Sequence, residues 1–258
     1  MKTYKLISAA VILGLFSASS FADTSTISYE HNYSTHNRFN TDNVFLDYQF
    51  SSGLYFGIGI NLVNKNNDTF DDLVDYSEFF ESKYNYQFND KLTITPSLRL
   101  KYYVGGSYNF DYNSTTGDPE SAGDVSDPGS IGARYIPGLA FNYKVAKNLS
   151  VLAGYQYELR KFSHREGKTR GDDRHRHVFN VGVDYNPNNQ LELKYVYTYK
   201  NGDYVMSDNK KHDYEHLLEV SYRLNRDWKP YLKLADKAAS VEKGTREAEI
   251  TGGFSYYF

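Results

Sequence analysis

From Asp23 onward, apolar side chains recur at every second position in one stretch after another. Neighbouring side chains on a strand point to opposite faces, so each stretch has one apolar and one polar face. The apolar members begin Ile27/Tyr29/Tyr33, Val44/Leu46/Tyr48/Phe50 and Leu54/Phe56/Ile58/Ile60/Leu62. Then come Val74/Tyr76/Phe80/Tyr84/Tyr86/Phe88 and Leu92/Ile94/Leu98/Leu100/Tyr102. Tyr135/Leu139/Phe141/Tyr143, Leu149/Val151/Ala153/Tyr155/Tyr157/Leu159 and Phe179/Val181/Val183/Tyr185 form the middle. Leu191/Leu193/Tyr195/Tyr197/Tyr199, Tyr214/Leu218/Val220/Tyr222/Leu224, Trp228/Pro230/Leu232/Leu234 and Ala248/Ile250/Phe254/Tyr256/Phe258 complete twelve segments. The pattern predicts an all-β chain.

The connections sharpen that expectation. Ser51-Ser52-Gly53, Asn89-Asp90-Lys91, Lys147-Asn148, Pro187-Asn188-Asn189 and Asn225-Arg226-Asp227 are short and rich in turn formers. Longer polar connections alternate with them, near 34–41, 64–72, 105–130, 163–172, 201–212 and 238–245. In an up-and-down meander all short turns would lie at one end and all long loops at the other. A soluble Greek-key sandwich gives no reason for that regularity. A transmembrane antiparallel β-barrel of 12 strands does, with periplasmic turns and extracellular loops in a Gram-negative outer membrane.

The start of the chain agrees. Lys2 and Lys5 precede an apolar run, Leu6 to Phe16, and Ser20-Phe21-Ala22 offers a small-residue cleavage site. Residues 1–22 are therefore expected to be a signal peptide and residues 23–258 the barrel. Beyond the leader no apolar run approaches the ~20 residues of a membrane helix. The chain has 26 Tyr and 16 Phe, yet its mean hydropathy is below zero, which suits strands that are apolar on one face only. Tyr48, Tyr84, Tyr86, Tyr143, Tyr185, Tyr195, Tyr222 and Tyr256 fall near strand ends on the apolar parity, where the membrane interface favours them. With no cysteine, disulfides and thiolate metal sites are excluded. A net charge of −3, more negative once the leader is removed, argues against nucleic acid as a partner.

The polar parity should face the lumen. It carries Arg99, Lys101, Arg134, Lys144, Arg160, Arg174, Arg176, Lys194, Lys200, Arg223, Lys229, Lys233 and Lys237. Asp47, Glu81, Glu158, Asp184, Glu192, Glu215, Glu219, Glu247 and Glu249 share it. Lumenal charge sets channel selectivity, and Arg and Lys favour anions. About half of these cations are expected to pair with neighbouring acids. Arginine's planar fork suits a carboxylated sugar.

Several runs resemble the oligogalacturonate-specific porin family of Gram-negative outer membranes: Arg134-Tyr135-Ile136-Pro137-Gly138-Leu139, Gly154-Tyr155-Gln156-Tyr157-Glu158, Arg174-His175-Arg176-His177, Trp228-Lys229-Pro230-Tyr231 and the terminal aromatic strand. The resemblance implies a monomeric barrel of twelve strands, without cofactor, passing acidic mono- or oligosaccharides such as oligogalacturonates, other uronates or sialic acids. By position it makes Arg134, Arg160, Arg174 and Arg176 lumenal basic residues; strand parity adds Arg99, Lys194, Arg223 and Lys233. The segment Gly105–Ser130 departs from the family in being longer and more acidic, and it could fold over the mouth. Phe258 resembles the C-terminal aromatic signal read by the barrel assembly machinery.

Other chemistry was weighed against this. A lipid-side Ser-His pair has candidates in His31, His36 and Ser163-His164, and a His/Asp protease in His164, Asp172, Asp173 and His212, but no spacing selects a nucleophile and base. His175 and His177 share the apolar face with no third metal ligand in view. Lys210-Lys211-His212 could meet lipopolysaccharide phosphates amid the outer-membrane lipid. The alternative to a channel is a surface-binding or adhesion barrel working through its extracellular loops, 105–130 above all.

Overall fold

A computed structural model of the chain describes residues 24–36, 39–64, 73–103, 132–162, 173–240 and 243–258. The expected leader, the segment 105–130 and the loop residues 65–72 and 163–172 lie outside the described residues, and with them His164 and Asp172. Everything regular among the described residues is strand: β1 (Thr24–Ser34), β2 (Phe39–Gln49), β3 (Leu54–Asn64), β4 (Leu73–Tyr84), β5 (Tyr86–Gln87), β6 (Leu92–Tyr103), β7 (Gly132–Ala146), β8 (Leu149–Phe162), β9 (Arg174–Tyr185), β10 (Leu191–Gly202), β11 (His212–Tyr222), β12 (Trp228–Ala238) and β13 (Arg246–Tyr257). The sequence pattern runs straight from Val74 to Phe88, but the backbone breaks at Asn85. There Asn85 N–H donates to the Gly53 carbonyl (2.8 Å), and both β4 and β5 pair with β6. They form one stave, so thirteen segments make twelve staves.

Each stave pairs antiparallel with its neighbour in sequence, and β1 closes on β13. The seam matches Ile27 with Tyr256, Tyr29 with Phe254 and Tyr33 with Ile250. Ser25 and Phe258 exchange backbone hydrogen bonds (3.2 and 2.9 Å) at its foot. Closure matters because lipid offers no partner to an open strand edge. Among the described residues no helix is long and apolar enough to cross a membrane.

The short turns repeat one device. The side-chain oxygens of Asn89, Asn188 and Asn225 each accept the backbone N–H groups two and three residues on, at 2.8 to 2.9 Å. Such side-chain turns close a hairpin without help from the rest of the fold. Gly53, at φ +90°, closes the β2–β3 turn, where a β-carbon would lie 2.5 Å from the Asn85 carbonyl oxygen.

The two faces invert the arrangement of a soluble protein. Phe80, Leu98, Leu100, Phe141, Val181, Leu218, Leu232, Leu234 and Ile250 are exposed on the outside, along with Tyr84, Tyr86, Tyr143, Tyr185, Tyr195 and Tyr222. Leu46 and Tyr48 break the pattern and are buried. An apolar band of this extent needs an apolar solvent. Inside, Ser77, Glu81, Arg134, Arg160, Arg176, Ser221 and Thr251 are buried polar residues. Ser28 and Ser255 share a hydrogen bond (2.8 Å), and Thr251 donates to Asn32, which donates to Thr41 (2.6 and 3.0 Å).

Candidate functional site

Register brings four cations into one row. Lys101 on β6 lies opposite Arg134 on β7, Arg134 opposite Arg160 on β8, and Arg160 opposite Arg174 on β9. Like charges facing each other across a sheet repel, so the row needs compensation. Two groups among the described residues contribute to it. Glu158, in register with Arg176, accepts on one oxygen from Arg176 Nε (2.8 Å) and Arg134 Nη1 (3.1 Å). Tyr103, turned inward and buried, presents its ring to Lys101, Arg134 and Arg160 at 5.4, 5.9 and 4.6 Å from its centroid. A ring face attracts cations and adds no formal charge.

The described part of the loop between β10 and β11 folds against this wall. Tyr204 carries Arg174 over its ring (5.1 Å), and its hydroxyl accepts from Arg176 (3.4 Å). Asp203 accepts from the His175 backbone (2.9 Å) and meets the His175 ring (2.8 Å). A tight bend at Asp208 and Asn209, both at positive φ, returns the chain, and Met206 is buried beside the lumen. The Asp208 carboxyl is held below its usual range by the Lys210 ammonium at 2.6 Å.

The opposite wall is built differently. Lys200 meets Glu215 (3.0 Å), Lys229 meets Glu192 (2.6 Å), Lys237 meets Glu249 (2.5 Å) and Lys233 meets Glu30. These are cross-strand pairs, and Lys237 also reaches Glu247 at 4.0 Å. Between the two walls lies a cavity of about 320 Å³ in the extracellular half, bordered by Arg99 and Lys101 on one side and Lys200, Glu215, Lys237 and Glu249 on the other.

The eight residues expected from the sequence thus fall into distinct settings. Arg134, Arg160, Arg174 and Arg176 come together around Glu158 and Tyr204. Arg99 sits at the next level toward β4, paired with Glu81 (3.1 Å). Lys233 is on the lysine wall, with its ammonium also over Tyr231 (4.8 Å). Lys194 stands in register between Asp184 and Glu219. Arg223 is past the end of β11, donating to the Arg226 carbonyl (3.3 Å) and lying over Tyr257 (4.9 Å), so it belongs to the periplasmic mouth. Four of the eight make carboxylate pairs among the described residues: Arg99, Arg134, Arg176 and Lys233.

Alternation along the terminal strand already turns Tyr257 inward, but the lumenal Tyr55, Tyr103 and Tyr231 were not anticipated. Tyr55, Tyr103, Tyr231 and Tyr257 each lie near a cation, whereas tyrosine was expected mainly at the interface. A signal was available: in Tyr102-Tyr103 and Tyr256-Tyr257, alternation must turn one ring inward. His175 and His177 are on the outer face as expected, the latter bonded to the Tyr155 hydroxyl (2.8 Å). No group of three or more His, Cys, Asp or Glu able to hold a metal occurs among the described residues.

Comparison with known proteins places this barrel. The family model described as oligogalacturonate-specific porin protein matches residues 16–109 and 101–258. The oligogalacturonate-specific porin KdgM of Dickeya dadantii is 27% identical over 159 residues, 60% of this chain. That match spans 66% of the relative's own length, just under two thirds. An uncharacterized protein, YiiY, of Salmonella typhimurium is 23% identical over 234 residues, covering 90% of this chain and 89% of its own. Among solved structures, the NanC porin superposes with a TM-score of 0.66 at 14% identity, covering 89% of this chain and 98% of that one. The KdgM porin superposes at 0.62 and 16%, covering 90% and 99%. These likenesses confirm the fold, and the family match over nearly the whole chain assigns it: the protein belongs to the oligogalacturonate-specific porin family of outer-membrane β-barrels.

Proposed function

We propose that the barrel is a passive channel for anionic saccharides, oligogalacturonates or related uronate and sialic acid sugars. The observation that carries this is the row Lys101–Arg134–Arg160–Arg174 set in register across four strands, beside Arg176. Guanidinium groups can grip a carboxylate in two places, and a row of them gives a polyuronate successive weak sites. Diffusion between weak sites needs no catalyst, and the family is one of channels rather than enzymes. One solved relative is a KdgM porin in complex with disordered oligogalacturonate, which supports the choice of solute class.

Reversal potentials across planar bilayers in a salt gradient test the reading. Anion preference is expected, lowered when Arg160 and Arg174 are both replaced by Gln; cation preference in the unaltered protein would overturn it. Four further expectations belong to the same proposal: a monomer, a leader removed after Ala22, assembly through Phe258, and lipopolysaccharide contact at the outer rim. In the last, Lys211 and His212 are better placed than Lys210, whose ammonium is engaged by Asp208. The adhesion alternative rests on 105–130, and nothing among the described residues favours it.

A further inference from the structure

We propose that β2, β3, β4 and β6 form a saccharide subsite in the extracellular half of the lumen. There a uronic acid pyranose lays its C–H face on the Phe45–Phe79 pair, meets Asn43 with a hydroxyl and gives its carboxylate to Arg99. The inference rests on the acidic-sugar reading above and adds what that reading lacks, recognition of the ring rather than the charge.

Two phenyl rings on the polar parity of a water-bearing lumen call for a reason. Phe45 and Phe79 lie with centroids 5.5 Å apart at 47° and both border the 320 Å³ cavity. The backbone is shaped to accept them. A β-carbon at Gly59 would stand 2.4 Å from Phe79 and 2.8 Å from Phe45, so only glycine lets both rings lie against the wall.

Polar groups flank the rings in a fixed order. Ser77 donates to Asn61 (3.0 Å) and Asn61 donates to the Asn43 carbonyl oxygen, which leaves the Asn43 amide N–H groups as the end of the chain. Asn43 and Asn61 border the same cavity. Arg99 directs Nε and Nη2 to one oxygen of Glu81 (3.2 and 3.1 Å) and rests over Phe79 (5.0 Å), so its orientation is set while Nη1 keeps its donors. With its side chain 42% exposed, Arg99 can be reached from the lumen.

A pyranose uronate has three features: an apolar C–H face, ring hydroxyls and a carboxylate. The subsite offers a partner to each. An acyclic anion of equal charge can use only Arg99.

Block of chloride current in planar bilayers by trigalacturonate and by tricarballylate, an acyclic trianion without a hydroxyl, tests this on the full-length protein. Trigalacturonate is expected to block the unaltered channel at lower concentration than tricarballylate. Phe45→Leu should raise the half-blocking concentration of trigalacturonate about fivefold or more, leaving tricarballylate block and anion preference unchanged. Asn43→Ala gives an independent reading, expected at about threefold for trigalacturonate alone. Arg99→Gln should weaken both blockers. If both Phe45→Leu and Asn43→Ala leave trigalacturonate block unchanged, or weaken both blockers equally, the subsite is overturned while the acidic-sugar channel stands. If the unaltered channel is cation-selective and trigalacturonate does not block it, both readings fail together.

Discussion

The two walls of the lumen carry similar numbers of cations and do different things with them. On β6 to β9 the cations stand beside one another, Lys101, Arg134, Arg160 and Arg174 in one row, with Arg134 and Arg176 sharing Glu158. On β10 to β13 and β1 four lysines meet carboxylates, in Lys200–Glu215, Lys229–Glu192, Lys237–Glu249 and Lys233–Glu30. On the lysine wall cations and carboxylates alternate in close pairs, whereas on the arginine wall two guanidinium groups share one carboxylate and a tyrosine ring lies under three cations. The proposed anion preference is assigned to the arginine wall, and bracing of the barrel to the lysine wall.

Replacing Arg134, Arg160 and Arg174 together with Gln should move the walls apart most clearly. Each removed charge at ~6 Å from a passing ion is worth about 0.7 kcal/mol in water. The anion-to-cation permeability ratio at low salt should therefore fall roughly three- to tenfold, against less than about twofold for Lys194→Gln with Lys233→Gln. Equal effects in reversal-potential measurements would erase the contrast. Glu158→Gln should act on both selectivity and stability. It raises anion preference and, because it removes the carboxylate that two buried arginines share, costs about 3–5 kcal/mol in a denaturation series on folded barrel. A variant as stable as the parent would mean that Glu158 is not the brace of that wall.

Tyr103→Leu is a finer probe, since it keeps bulk and removes the ring face beneath three cations. The expected loss is about 1–2 kcal/mol of stability at unchanged net charge, checked by thermal melting in detergent. Tyr204→Phe should be the mildest. It deletes one 3.4 Å contact with Arg176 and keeps the ring under Arg174, so single-channel conductance should change by less than about a fifth.

Much of the barrel was legible in the chain. Alternation fixes faces locally, so the inward parity of Arg99, Arg134, Arg160, Arg174, Arg176, Lys194 and Lys233 followed from counting along each strand. Turn chemistry is local too, and Asn89, Asn188 and Asn225 mark their hairpins by sequence. Arg223 lies over the inward Tyr257, but parity says nothing of where a strand stops: β11 ends at Tyr222, so Arg223 stands at the periplasmic mouth. The break at Asn85 was hidden for a related reason. It depends on the Gly53 turn, distant in sequence, taking the Asn85 N–H.

The sequence alone determined which side chains face lipid and which face the lumen, because that choice is made within a strand by its own period. It could not determine which lumenal residues meet. Opposition across strands is set by register, and register joins positions as far apart as Lys101 and Arg134, or Glu30 and Lys233. Only the closed sheet decided that one set of cations would gather beside Glu158 and Tyr103 while another met carboxylates across strands.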